Sequence, residues 1–412
     1  MIYTDVLIVG GGMVGLSTAY QLLEHNITSN IIVIDKEAKL GLHSSGRNSG
    51  VLHSGLYYKP DSLKASVCVD GQQRLRKWIE EQGLPLNPCG KVIVPQRYEL
   101  DSKLDLLAKR GTSNGAKVEI LDEHQLHEII PFARSASGRA LWTPSTVVVK
   151  PLLVIKRLME LLQQRGVRIM NTAILAEHWQ LDPNKSILKL HNNERIMYKH
   201  LFNCAGANAD TVAHLFGVGL DYRLLPFKGL YWQIKSTSPF QLKTNLYPVP
   251  DLNVPFLGVH FTPSADRESV VSIGPTAIPA LGRENYNGMK SIELFNSIQN
   301  FGILSQQYIF DRGGFRKYVH EQLNLSILYF MLRSAKLLIP NLSAKDIEPS
   351  DKVGIRAQLF NNKTQRIEDD FICLEGEKST HVLNAISPAF TASFALADLI
   401  LKKSTFSKHI SS

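Results

Sequence analysis

Three glycines spaced Gly10-x-Gly12-x-x-Gly15 stand between the apolar run Asp5-Val6-Leu7-Ile8-Val9 and a stretch from Leu16 to Asn26 whose apolar residues recur at helical spacing. Glycines in that order permit a tight turn, close approach of a pyrophosphate to the backbone and close packing of helix on strand. The helix start, with Met13 and Val14, turns free N–H groups toward phosphate. A second apolar run, Ile31 to Ile34, ends at Asp35, 20 residues after Gly15, and Lys36 follows. A carboxylate there accepts hydrogen bonds from ribose hydroxyls and disfavours a 2′-phosphate. Strand, glycine turn, helix, strand and acid at these spacings predict a bound dinucleotide. NAD and FAD both satisfy this pattern. Its place at the start of the sequence, together with a later strand from Lys199 to Cys204 closing on Ala205-Gly206-Ala207, favours FAD.

Such groups need a large body of structure to hold them. The chain has 412 residues, 44% of them apolar and 20% charged, a globular composition with room for two to three units of ~150 residues each. The formal charge of +9 suits nucleic acid, anionic lipid or an acidic substrate. Nucleic acid is disfavoured, since no Lys/Arg run or aromatic–basic interleaving is present. Cys68, Cys89, Cys204 and Cys373 lie far apart without a C-x-x-C pair, which points to a reduced, cytoplasmic setting. The opening residues lack the basic region of a secretory signal. The apolar stretch Val6 to Leu23 is broken by glycines, and Leu323 to Ile339 contains Arg333 and Lys336, so no membrane span is expected. The latter stretch, flanked by Arg312, Arg316 and Lys317, reads equally as a basic amphipathic helix on a membrane surface and as a core or dimer helix.

The segment Gly46-Arg47-Asn48-Ser49-Gly50-Val51-Leu52-His53-Ser54-Gly55-Leu56-Tyr57-Tyr58 resembles the FAD-dependent D-amino-acid oxidase and glycine oxidase superfamily, and within it the L-2-hydroxyglutarate oxidase/dehydrogenase family. Pro226-Phe227-Lys228-Gly229, Gly258-Val259-His260-Phe261-Thr262, Gly274-Pro275-Thr276-Ala277, Val353-Gly354-Ile355-Arg356-Ala357-Gln358 and Asn384 to Thr391 match in order, so the resemblance covers nearly the whole chain. Lys228 and Leu230 depart from the arginine and glutamate more usual there. The fold class implied is α/β, a Rossmann-like FAD-binding domain of residues 1–80, 146–225 and 346–412, with an inserted, mostly antiparallel substrate domain of residues 81–145 and 226–345. The alternating patterns of 226–345 and the helix and strand patterns of 151–220 agree with it.

The resemblance implies oxidation of L-2-hydroxyglutarate to 2-oxoglutarate, by hydride transfer from Cα to flavin N5 with a nearby base taking the hydroxyl proton. The electrons pass to oxygen or to a membrane quinone. Amine oxidation of the glycine or sarcosine type is the nearest alternative, and a basic binding module that retains a nucleotide fold is the alternative of another class. His53 and His260 are the candidate bases, since a histidine pKa lies near working pH; His53 alternatively contacts the flavin. Arg356 is expected to clamp one substrate carboxylate in a bidentate pair, with Lys228 at the other. Ser45, Arg47, Asn48, Ser49, Gly50, Ala205 and Gly206 are assigned to FAD. Tyr57 and Tyr58 either donate to a carboxylate or pack. Pro388, Ala389, Phe390 and Thr391 are expected to open the last helix, with a Ser or Thr cap and proline in the first turn, and to aim N–H groups at the flavin. No metal is expected. The location implied is cytoplasmic, peripheral on the cytoplasmic face of the inner membrane.

Overall fold

The computed structural model describes residues 1–182, 185–250, 258–266, 270–325 and 327–408. The first apolar run is the strand Ile2–Val9, which pairs in parallel with Ile31–Ile34 on one side and Arg195–Asn203 on the other. Arg168–Met170 extends the sheet beyond Ile31–Ile34, and Ser379–Asn384 beyond Arg195–Asn203, both in parallel. An antiparallel hairpin, Leu175–Asp182 and Lys185–Leu190, lies along the first half of Arg195–Asn203. A parallel sheet covered on both faces reads as a continuous apolar run. Accordingly Val6 and Ile8 enter one core, with Leu16, Leu75, Leu158 and Phe394, while Leu7 and Val9 enter another, with Leu188 and Tyr198.

Two helices distant in sequence, Met13–Glu24 and Ser393–Lys403, pack side by side beneath the glycine turn. The rings of Tyr20 and Phe394 stack at 5.1 Å, and Trp78, from the helix Leu63–Glu81, meets Phe394 edge-on at 5.9 Å. The turn itself leaves no space for side chains. A Cβ on Gly10, which has φ of +105°, would overlap the Cys204 carbonyl, and one on Gly15 would overlap the carbonyl of Gly10.

The second large sheet is antiparallel except where Lys91–Val94 runs parallel to Asn245–Pro248. Its spine is the pairing of Tyr222–Ile234 with Ile347–Asn361, which sets Phe227 opposite Arg356. From Tyr222–Ile234 the sheet continues through Val271–Gly274, His260–Pro263, Asn245–Pro248, Lys91–Val94 and Ala140–Thr143 to Glu119–Leu121. The boundary expected at residue 346 therefore falls inside this sheet. Ile347–Asn361 is one unbroken strand, and the third segment rejoins the parallel sheet only at Ile372–Gly376 and Ser379–Asn384.

The stretch from Leu323 to Ile339 takes the core reading. Phe315–Leu325 and Leu328–Ala335 are helices, with Ser326 between them outside the described residues. Leu325, Met331, Ala335, Leu338 and Ile339 are buried against Val92, Leu246 and Phe261 on the back of the second sheet. These apolar side chains are spent on the sheet, while Ile327, Tyr329 and Leu337 stay exposed. No helix among the described residues is long and apolar enough to cross a membrane. Because the space at Gly15 is closed by backbone, Gly15→Ala is expected to lower stability by ~1–3 kcal/mol and to abolish dinucleotide retention. Urea unfolding and flavin absorbance after gel filtration check both.

Candidate functional site

A cleft of about 370 Å³ opens where the parallel strands end, the place at which α/β sheets hold ligands. Gly10, Gly12, Met13, Val14 and Asp35 line one end, together with Ala205 and Gly206, and the segment Pro388-Ala389-Phe390-Thr391 lines the part that leads on to His53. The cleft then passes between the two sheets to His53, Tyr231, Tyr247, His260 and Arg356.

At the first end, the Gly11 N–H donates to Asp35 Oδ2 at 2.7 Å and the Glu37 N–H to Oδ1 at 2.9 Å, fixing the carboxylate at the strand tip. Ser45 Oγ accepts from the Met13 N–H at 2.9 Å, so a hydroxyl sits over the helix start. Ser49 also lines the cleft. Asn48 braces this loop, donating to the Ser45 carbonyl at 2.6 Å and accepting from the Gly50 N–H at 2.8 Å. Arg47 donates to the Leu42 carbonyl at 2.6 Å and lies 4.0 Å over the Tyr286 ring.

Gly15, Lys36, Gly50 and Lys228 do not line the cleft. Gly15 is packing. Gly50 is a turn glycine with φ of +75° whose carbonyl accepts from the Val149 N–H at 2.9 Å. Lys36 points into an ion-pair cluster with Glu37 and Glu284, and His43 Nε2 joins Glu37 at 3.0 Å while its Nδ1 meets the Tyr286 hydroxyl at 2.9 Å. Glu37, His43 and Glu284 are close enough to share a cation, but the Lys36 ammonium already supplies one. Glu284 and Tyr286 come from a loop that no sequence motif marks.

The last helix differs from its sequence reading. It starts at Ser393 with Ala392 as N-cap, so Pro388 lies outside the first turn and Thr391 does not cap. The Thr391 hydroxyl instead accepts the His53 N–H at 3.1 Å and donates to the Val51 carbonyl at 3.3 Å, tying the Pro388–Thr391 segment to the strand Val51–Leu52 and to His53 just after it.

The inner end is rich in buried bases and cations. His260 Nδ1 lies 2.8 Å from the Gly258 carbonyl, which can only accept, so Nδ1 carries the proton and Nε2 keeps its lone pair. Its ring stacks on Tyr247 at 4.0 Å, and burial pushes it down to about 4. Burial also holds His53 well below the usual histidine value, and its Nδ1 has no hydrogen-bond partner. The Arg356 Nε donates to Gln358 Oε1 at 3.1 Å. Tyr58 bonds Ser387 and lies near Arg356, whereas the Tyr57 hydroxyl is buried without a partner. Lys228 is turned the other way, because strand alternation sends Phe227 and Gly229 to the cleft and the Lys228 ammonium to Asn285 Oδ1 at 2.7 Å. Three lysines absent from the sequence reading stand nearby: Lys64, Lys91 and Lys352, each pushed by burial down to about 8.

A model of the FAD dependent oxidoreductase family matches residues 5–402. The chain belongs to that family. It is 35% identical to the mitochondrial L-2-hydroxyglutarate dehydrogenase of Caenorhabditis elegans, over 96% of this chain and 92% of that protein. It is 32% identical to the mitochondrial enzyme of the same name from Homo sapiens, over 96% and 87%. Membership among the L-2-hydroxyglutarate dehydrogenases, expected from the motif order, is thereby established. In fold the chain matches the L-alpha-glycerophosphate oxidase of Mycoplasma pneumoniae with FAD bound, at a TM-score of 0.74 and 20% identity, covering 100% of this chain and 95% of that one.

The residues present fit FAD. The turn at Gly10 admits no side chain, the helix start at Met13 faces the cleft, and Asp35 is held by backbone N–H groups where a ribose would lie. Asp35→Ala removes a charged acceptor worth ~1.5–3 kcal/mol, so FAD affinity is expected to fall by about tenfold or more. Flavin fluorescence titration of the apoprotein measures it.

Proposed function

We propose that this cleft oxidises L-2-hydroxyglutarate to 2-oxoglutarate, with His260 as the base. Bound FAD supplies the acceptor for the hydride leaving Cα. The observation that carries the assignment of the base is the Nδ1–H bond of His260 to the Gly258 carbonyl, which leaves Nε2 unprotonated in a wall of the cleft. Nε2 takes the hydroxyl proton as the carbonyl forms. His53, tied through its backbone to the Pro388–Thr391 segment, stands on the cofactor side of the site. Arg356 presents a planar fork to one carboxylate and holds the substrate in a single orientation. Burial of His53, Tyr231, Tyr247 and His260 limits water at the inner end and strengthens the interactions made there.

The folded pKa of His260 lies below its ordinary value, so the base is available through neutral pH and is lost only as pH falls toward about 4. The acid limb of kcat/KM, which reports the free enzyme, is therefore expected near pH 4 rather than near 6.5, and His260→Ala should slow flavin reduction by about 10²–10⁴-fold. Anaerobic stopped-flow with L-2-hydroxyglutarate, its D enantiomer, glycine and sarcosine tests the reading. Reduction by the L enantiomer alone is expected; faster reduction by the amines would reassign the enzyme to amine oxidation.

The electrons pass, in this proposal, to a membrane quinone. Helix Leu294–Ile309 supports it, because Ser297, Asn300 and Gln307 face inward while Leu294, Phe295, Ile298 and Phe301 face out. Phe295 is 73% exposed and Ile298 65%. Arg312, Arg316 and Lys317 follow on the same surface-exposed segment, a charge pattern suited to anionic lipid. Sedimentation with anionic vesicles is expected for the native protein and not for Phe295→Glu/Ile298→Glu, whose flavin reduction should be unchanged. Rapid reoxidation by oxygen without vesicle binding would favour an oxidase.

A further inference from the structure

Behind the inner wall of the cleft, several buried polar groups have no hydrogen bond. Lys91 is fully buried, and its ammonium lies 5.1 Å from the centre of the Tyr57 ring and 4.8 Å from that of Tyr247, with no hydrogen-bond acceptor. Beside it the hydroxyl of Tyr57 and Nδ1 of His53 are also buried without hydrogen bonds. The hydroxyls of Thr262 and Tyr247 adjoin and interact with one another, with no further partner for either. The titratable groups facing Lys91 are Cys68, Cys89, His53 and His260, with the two tyrosines. None of these described neighbours is a carboxylate. Ring faces recover part of the lost hydration of an ammonium, but an unpaired buried cation remains strongly unfavourable.

A cation held this way within one side chain of a ligand cleft is suited to an anion that arrives with the ligand. We propose that Lys91 is the specificity-determining cation for the second carboxylate of the substrate, which lodges against Tyr247 on the wall that the cleft and Lys91 share. The proposal rests on the reading of the substrate as a 2-hydroxy dicarboxylate. It replaces Lys228, which the strand turns away, and leaves Arg356 for the first carboxylate.

The pH sign follows from the same surroundings. Burial holds Lys91 at about 8, so its charge is present below that pH and lost above it. A bound carboxylate stabilises the ammonium, and dianion affinity should fall as pH rises past 8, approaching tenfold per unit. Around Lys91, both histidines are neutral through this range, Cys68 and Cys89 are pushed up to about 12 and about 11, and both tyrosines are raised. Lys64 and Lys352, also at about 8, titrate in native and variant protein alike, so the difference between the two profiles belongs to Lys91.

The test compares FAD-loaded native protein with Lys91→Met, which keeps the length and removes the charge. Flavin spectral titration with glutarate and 2-oxoglutarate should show affinity reduced by about tenfold or more, while 2-hydroxypentanoate, a monocarboxylate of the same length, changes by less than about threefold. FAD content should be unchanged, and the ligand-free melting temperature equal or higher, since a buried unpaired charge has been removed. Equal effects on mono- and dicarboxylates, or no effect on either, would overturn the proposal. Should Lys91→Met fail to fold, pH titration of native protein with both ligands decides: a fall past pH 8 for glutarate that 2-hydroxypentanoate does not share supports the proposal, and a glutarate profile that is flat from pH 7 to about 9.5, or parallel to that of 2-hydroxypentanoate, refutes it. Failure of L-2-hydroxyglutarate to reduce the native flavin would defeat the functional reading separately, because glutarate binding still judges Lys91.

Discussion

Burying the Lys91 ammonium with no carboxylate among its described neighbours is the constraint around which the inner half of the molecule is arranged. Lys91, Tyr247 and His260 lie on three neighbouring strands, so their mutual positions are set by backbone pairing rather than by loops. The register matters as much as the order. Lys91 and Ile93 face the cleft side, where Ile93 and Tyr247 pack with Leu56, while Val92 and Leu246 face the helices behind. A slip of one residue would exchange the two faces, sending an ammonium into the core of Phe261 and Met331. The helices between Phe315 and Ala335 press on that back face and oppose such a slip.

The nucleotide end obeys a different rule, closeness of backbone to backbone. At Gly10 and Gly15 the limiting neighbours are carbonyl oxygens, which cannot rotate away as a side chain can. The two ends are then joined by pieces that belong to both. Arg47 spans from Leu42 to the Tyr286 ring, and Thr391 binds the strand before His53. Cofactor loop and substrate wall are thereby held at fixed separation, which a transfer between bound partners requires.

The parts legible in the sequence were those whose spacing is local. The strand, turn, helix and acid from Val6 to Asp35 sit as their periodicity implied, and Arg356 and both histidines meet in one cleft. What escaped depended on partners distant in the chain. Lys228 and Lys91 each stand in strand-like runs, and only the pairing partner reveals which face of a strand is interior. A lysine in line with Ile93 in Lys91-Val92-Ile93-Val94 was the available signal for Lys91. The stretch from Leu323 to Ile339 was ambiguous between surface and core, and only the sheet behind it shows where Met331, Ala335, Leu338 and Ile339 go. Thr391 resembled a cap because hydroxyls before helices usually serve there, yet its hydroxyl was claimed by Val51 and His53.

The packing of Met13–Glu24 against Ser393–Lys403 has a consequence for the order of events during synthesis. The glycine turn rests on a helix whose other face is completed by residues made some 370 positions later, and the cleft is closed by the segment just before them. A nascent chain released as far as Asn361 would have its second sheet largely paired, but neither Ser379–Asn384 nor the stacked Phe394. Dinucleotide uptake therefore waits until the residues through Lys403 have left the ribosome. Flavin colour, in this architecture, reports that translation has run through the last long helix.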